Sequence, residues 1–395
     1  MAAHLAGDPG EQPGEQPALH ERGRSSQRLV ALDTLRGAFL ILILVTHGFG
    51  LLAAASMSRT GREAWEILFG AATPSFVLIS GTLFGFFLVS RRDLGGVFRG
   101  YRRRAFLFFG LGHLLLALVL YPVHGLGAGS FWSFYVSRWY ITDTLGVAFL
   151  LMPAVLPSLR PRHRAAIGVA LLIASRVDVV LPWARSPQAM VIHQVFFGRL
   201  VASPRSAFDC YPLVPILADF LMGSFVGDRL ARALPDGIDR FIRQVGRLLP
   251  PLAFLSMIMC GGWVLLSTHF HGRHPVLQAM LFPDRTFSLF PVYLALYLGA
   301  LALLLHYVDP RRPRTSLTGG LALLGRRSLF VFVVQYLVVQ TLPSVLGHRY
   351  MSMRGLLLFL PFAIAATFAA TLVWDRLRRT PAATAAARVD VAATR

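Results

Sequence analysis

Residues 29–50 read "LVALDTLRGAFLILILVTHGFG". The run is apolar enough to span a bilayer, yet it carries Asp33, Arg36 and His47. On a helix advancing about 100° per residue, Arg36 and His47 differ by roughly 20° in azimuth and Asp33 and His47 by roughly 40°. The three therefore share one stripe. At ~1.5 Å per residue His47 stands ~16 Å above Arg36, which puts Arg36 near one interface and His47 at or beyond the midplane. Ionisable groups at that depth cost at least ~2.5 kcal/mol each on insertion scales unless they face protein or water. The stripe is expected to look into a bundle.

The rest of the chain extends this reading. Of 395 residues 55% are hydrophobic and 15% charged, mean hydropathy is +0.58, and apolar runs recur from Val30 to Trp374. The fold class is all-α, a polytopic membrane protein. Ten spans are expected, at 30–54, 65–89, 104–121, 139–158, 165–183, 210–228, 247–267, 286–306, 320–343 and 354–375. All 39 basic residues are Arg, a usage that together with abundant Ala, Gly and Leu suggests a GC-rich bacterial genome. Sorted by the connectors these spans imply, 28 arginines fall on one side and 11 on the other. Positive charge collects in the cytoplasm, so both termini are expected there, and the net charge of +20 marks topology rather than nucleic-acid binding. Residues 1–28 and 377–395 read as disordered cytoplasmic tails flanking a transmembrane domain over 29–376.

Cys210 and Cys260 lack the spacing of a disulfide framework or a metal motif. His193, His269, His271 and His274 form a cluster only by count, and "HFHGRH" has no carboxylate, so no metal is expected. Two long outward connectors, 184–209 and 268–285, either roof a site or lie on the membrane surface.

Other polar groups reach the depth of the first-helix stripe. Ser75 lies about nine residues in from the outer end of the second span, and His113 a similar distance in from the inner end of the third. His47, Ser75 and His113 are thus expected near one plane. Ser80 either contacts substrate or bonds its own backbone, while Gly81 and Gly85 signal close helix packing. Arg102, Arg103 and Arg104 at the inner mouth of the third span join Arg36 in a guanidinium cluster suited to phosphate groups. Asp143 and Asp209 sit near outer helix ends, where a carboxylate either orients an acceptor hydroxyl or is simply solvated and stabilising.

Arg36, ten residues, then His47, with Asp33 ahead in "LDTLRG", resembles the first-helix motif of the membrane acyltransferase-3 family, whose relatives include glucan succinyltransferase-like and heparan glucosaminide N-acetyltransferase-like bacterial proteins. "TPSFVLISGTLFGF", "YRRRAFLFF" and "YPLVPILADFLMGSFVGDRL" resemble further family segments in the same order. In "LLGRRSLFVFVVQYLVVQ" Gln335 stands where many relatives carry His, and Gln does not shuttle protons near neutral pH. The resemblance implies transfer of an acyl group, usually acetyl from acetyl-CoA, to a hydroxyl or amine of a saccharide, lipid or other acceptor in the bacterial inner membrane. It implies His47 as general base or acyl carrier, Arg36 on the donor phosphates, Asp33 fixing Arg36, and Ser75 as an oxyanion donor. Ser80, Arg103, Arg104, His113, Asp143 and Gln335 complete the expected substrate-binding set. The expected partners are acyl-CoA, the acceptor and the bilayer, with homo-oligomerisation left open. A rival reading is a transporter or flippase with an Asp33, Arg36 and His47 relay; a third is a non-catalytic scaffold of the same fold. The absence of a visible internal repeat weighs against the transporter.

Overall fold

The computed structural model describes residues 29–51, 61, 70–91, 93–125, 130–178, 187–197, 211–235, 237–269, 290–308, 315–347 and 351–393. These are helical, with no β-strand among the described residues. In chain order the helices are α1 (Val30–Phe49), α2 (Ala72–Ser90), α3 (Leu94–Val123), α4 (Phe131–Val136), α5 (Ile141–Val155), α6 (Pro161–Asp178) and α7 (Pro187–Phe196). Then come α8 (Leu213–Ala233), α9 (Ile238–Thr268), α10 (Phe290–Tyr307), α11 (Ser316–Arg326), α12 (Ser328–Val345) and α13 (Met353–Ala393). Helices occupy all ten stretches read as spans, and eight are long and apolar enough to cross a membrane. The protein is a multi-pass, all-α membrane protein.

The other two, α6 and α8, carry several charges each: Arg162 and Arg164 in one, Asp219, Asp228, Arg229 and Arg232 in the other. Of these α8 is buried in the bundle, packed along α2 on one side and α6 on the other, while α6 turns Ile167, Val169 and Ile173 outward. Two boundaries also differ from expectation. The third helix begins at Leu94, ten residues before the expected 104, because Asp93 caps it by accepting the Gly96 N–H at 2.8 Å. The expected 320–343 span is two helices that meet at Arg327, whose guanidinium reaches across to Asp375 of α13 at 2.9 Å from Nε.

Glycines set the closest contacts. A Cβ on Gly81 or Gly85 of α2 would collide with the carbonyls of Phe220 or Ser224 on α8, and one on Gly223 or Gly227 with those of Leu78 or Thr82. Partners rise together along both helices, so α2 and α8 run parallel, backbone against backbone. Gly37 and Gly325 bring α1 equally close to α11, against Leu321 and Asp33 respectively. By contrast α9 shows its apolar residues outward: Phe254, Met257 and Ile258 are all exposed, as a lipid-facing surface requires. The expected N-terminal tail over 1–28 and the side chains beyond Arg378 lie outside the described residues, as do Asp209, Cys210, His271 and His274.

Gly85→Leu should force α2 off α8 and cost about 2 kcal/mol or more, whereas Gly246→Leu on α9, where a Cβ meets nothing within 4 Å, should be neutral. Thermal unfolding of the two variants in detergent checks this; equal melting temperatures would contradict the backbone contact.

Candidate functional site

Arg36 and His47 of α1 both project into the bundle, half-buried, and define two ends of one site. At the Arg36 end the guanidinium carbon lies 5.9 Å from the centre of the Phe76 ring of α2. It also acts electrostatically on two buried phenols, Tyr101 of α3 and Tyr297 of α10. Tyr101 is shared: Arg104, one turn on, hydrogen-bonds its hydroxyl and lies 5.2 Å over its ring. Arg36 and Arg104 thus flank one tyrosine, placing two guanidinium groups within reach of one anion. Arg103 and Arg104 are both exposed, and Arg104 is the one set against Tyr101. Tyr297 is fixed by Thr82, whose hydroxyl lies 2.6 Å from the phenol oxygen while donating to the Leu78 carbonyl at 2.8 Å. That geometry leaves Tyr297 as the donor to Thr82.

At the other end the His47 ring packs 4.4 Å, centroid to centroid, from Tyr336 of α12. Tyr336 shares a hydrogen bond with Tyr211, which stands just before α8. Thr144 of α5 holds that corner: its hydroxyl accepts from the Trp139 indole and donates to the Tyr211 carbonyl, both at 2.7 Å. Gln335 neighbours Tyr336 and is fully buried, with no hydrogen-bond partner for its amide among the described residues.

His113 and Asp143 form a buried pair beside this corner. His113 Nδ1 donates to the Asp143 carboxylate at 2.8 and 2.9 Å, and Nε2 faces the Tyr135 carbonyl at 3.0 Å. The Tyr135 carbonyl belongs to the last turn of α4, an end that favours a cation. Both ring nitrogens face acceptors, an arrangement that only the doubly protonated ring satisfies. The second carboxylate duty is local: Asp143 accepts the Tyr140 N–H at 2.7 Å, stabilising the start of α5. Asp143 is therefore not the solvated helix-end carboxylate that its position in the sequence allowed; it is fully buried and ion-paired.

Asp33 is buried where α1 crosses α11. Ser75 is fully buried next to Phe76, and its hydroxyl has no hydrogen-bond partner among the described residues. Ser80 donates to the Phe76 carbonyl at 3.0 Å, the backbone-bonded alternative. The structure brings Arg36 and Arg104 together at Tyr101, while the His47 ring packs on Tyr336 and the His113 ring on Tyr140. Among the described residues no group of three or more His, Cys, Asp or Glu side chains is placed to hold a metal ion.

Sequence reasoning missed Tyr101, Tyr140, Tyr211, Tyr297 and Tyr336. The signal was present, because a Tyr inside an apolar run carries a hydroxyl that must be used somewhere. Asp219 was also missed, although it is an acid in the middle of "PILADFLMG"; it is fully buried, with no hydrogen-bond partner for its carboxyl group among the described residues.

A family model described as an acyltransferase domain, acyltransferase-3, matches residues 29–375, from the residue before α1 to the Asp375 that pairs with Arg327. The chain belongs to the acyltransferase-3 family. No individually curated protein matches it. The match spans both ends of the site, so the Arg36 and His47 clusters lie within one acyltransferase-3 domain.

His113→Leu should strand the Asp143 carboxylate in a dry interior and destabilise the protein by about 3–5 kcal/mol, while His113→Leu combined with Asp143→Leu should cost less than His113→Leu alone. Chemical unfolding of the two variants beside wild type measures the difference, and simple additivity would sink the pairing.

Proposed function

We propose that this acyltransferase-3 protein transfers an acyl group, acetyl from acetyl-CoA, from the cytoplasmic side of a bacterial inner membrane to a hydroxyl or amine of a saccharide or lipid acceptor. The observation that carries the reading is the single face of α1 on which Arg36, flanked with Arg104 around Tyr101, and His47, set against Tyr336, look into the bundle from two levels. A donor bearing phosphates and a thioester suits such a site, with its phosphates on the guanidinium pair and its acyl group directed along α1 toward His47. Both termini, on this reading, are cytoplasmic.

The chemistry asked of His47 is modest. As general base its imidazole removes the proton from the acceptor hydroxyl while the oxygen attacks the thioester carbonyl. The new C–O bond forms, the C–S bond breaks, and the departing thiolate takes the proton back from the imidazolium. As acyl carrier the imidazole nitrogen attacks the thioester first, releasing the thiol, and the acceptor oxygen then displaces it with loss of its proton. The Ser75 hydroxyl is the oxyanion donor we assign, and its oxygen, fully buried and without a hydrogen-bond partner among the described residues, supports that role. Gln335, which cannot relay protons, is assigned to hydrogen bonding alone.

Purified protein incubated with radiolabelled acetyl-CoA and candidate acceptors should transfer label. His47→Ala should lower turnover by about a hundredfold or more, and Arg36→Ala should raise the KM for acetyl-CoA. Full activity in His47→Ala would remove the assignment.

A further inference from the structure

The His113–Asp143 pair has no free ring nitrogen with which to act as a base, since Nδ1 and Nε2 are both occupied. What the pair holds is Tyr140. Asp143 accepts the Tyr140 N–H at 2.7 Å, and the His113 ring lies edge-on to the Tyr140 ring at 5.1 Å. One carboxylate thereby fixes both the backbone and, through His113, the ring of the same tyrosine. Tyr135 closes the other side of His113 at 4.4 Å.

The hydroxyl so fixed is unused among the described residues. Tyr140 is 5% exposed, and its phenol oxygen is buried with no hydrogen-bond partner among the described residues. Tyr336 and Arg138 lie close enough to act on it electrostatically. Tyr336 is the residue whose ring packs on His47, so the Tyr140 hydroxyl borders the His47 end of the site. Buried polar atoms left without a protein partner are rare, and each calls for an explanation such as a ligand or an ion. Local helix geometry gives a second observation. A π-helical stretch, Leu107–Gly112, runs directly into His113, and another, Leu337–Thr341, begins directly after Tyr336. Such stretches are rare in helices and concentrate at functional sites. Here they adjoin the two residues that border Tyr140.

We propose that the Tyr140 hydroxyl is a hydrogen-bonding group for the hydroxyl-bearing acyl acceptor, and that His113 and Asp143 are positioning residues that aim it. A phenol both donates to and accepts from an acceptor hydroxyl, and the rings of Tyr135, Tyr140 and Tyr336 offer flat apolar faces beside it. Arg138, whose guanidinium carbon lies 4.8 Å over the Phe134 ring, sits at the rim of this corner. The inference rests on the acyl-transfer reading and locates the acceptor side of that site, opposite the Arg36 end.

The test uses the full chain in nanodiscs with radiolabelled acetyl-CoA and methyl β-D-glucopyranoside as acceptor. The KM of each substrate is measured separately for wild type, Tyr140→Phe and Asp143→Asn. Tyr140→Phe keeps the ring and its packing, so it should raise the acceptor KM about tenfold, the worth of one buried hydrogen bond, with the acetyl-CoA KM within about twofold of wild type. Asp143→Asn should shift the acceptor KM in the same direction with the same selectivity. An unchanged acceptor KM in Tyr140→Phe, or a fall in kcat alone that tracks lost folded protein, overturns the proposal. Failure of wild type to release CoA or transfer label at all defeats the acyl-transfer reading itself and the inference with it, an outcome distinct from a Tyr140→Phe variant that transfers as well as wild type.

Discussion

A guanidinium cannot face hydrocarbon, and the bundle around α1 is arranged to spare Arg36 that exposure. Phe76 supplies a ring, Tyr101 and Tyr297 supply phenols, and Arg104 shares Tyr101 from the end of an amphipathic turn. Those groups come from α2, α3 and α10, so one side chain engages three helices. Gly37 and Gly325 let α11 close the remaining side at backbone distance. The site is in this sense a by-product of giving a charge protein neighbours inside an apolar bundle.

The same economy governs the His47 end, with a different solution. There the polar atoms are not charges on display but a chain of neutral hydroxyls and one ion pair: Tyr336 with Tyr211, Thr144 with Trp139 and the Tyr211 carbonyl, and His113 with Asp143. A buried ion pair contributes little net stability relative to an apolar pair of the same size, because desolvation offsets the attraction. Its return is geometric. His113–Asp143 ties α3, α4 and the start of α5 into one corner, and Thr341 ties α12 to α3 by donating to the Val119 carbonyl at 2.7 Å.

The fold was legible because hydrocarbon imposes long apolar runs, and each of the ten stretches chosen from them holds a helix among the described residues. The break at Arg327 was not legible, since it depends on Asp375, 48 residues away in sequence. The early start of α3 was hidden because an arginine-rich turn reads as a connector when only hydropathy is weighed. For the site, the spacing of Arg36 and His47 revealed a shared face, and the helix period sufficed for that. Which residues face them was not available from periodicity: the tyrosines sit on five different segments, and only tertiary packing brings them to α1. Asp143 shows the limit most clearly, for nothing local distinguishes a solvated helix-start carboxylate from one buried under a histidine 30 residues earlier.

The parallel contact of α2 and α8 has a mechanical corollary. Two helices whose backbones touch through Gly81, Gly85, Gly223 and Gly227 have no side-chain layer between them to repack. They can neither slide by a residue nor rotate without a collision of carbonyls, so the pair behaves as a single stiff strut through the molecule. Any opening that admits a bulky substrate must then be carried by the helices around the strut. Among these, α3 and α12 contain π-helical turns, where the regular ladder is already interrupted and a change of register disrupts the fewest hydrogen bonds.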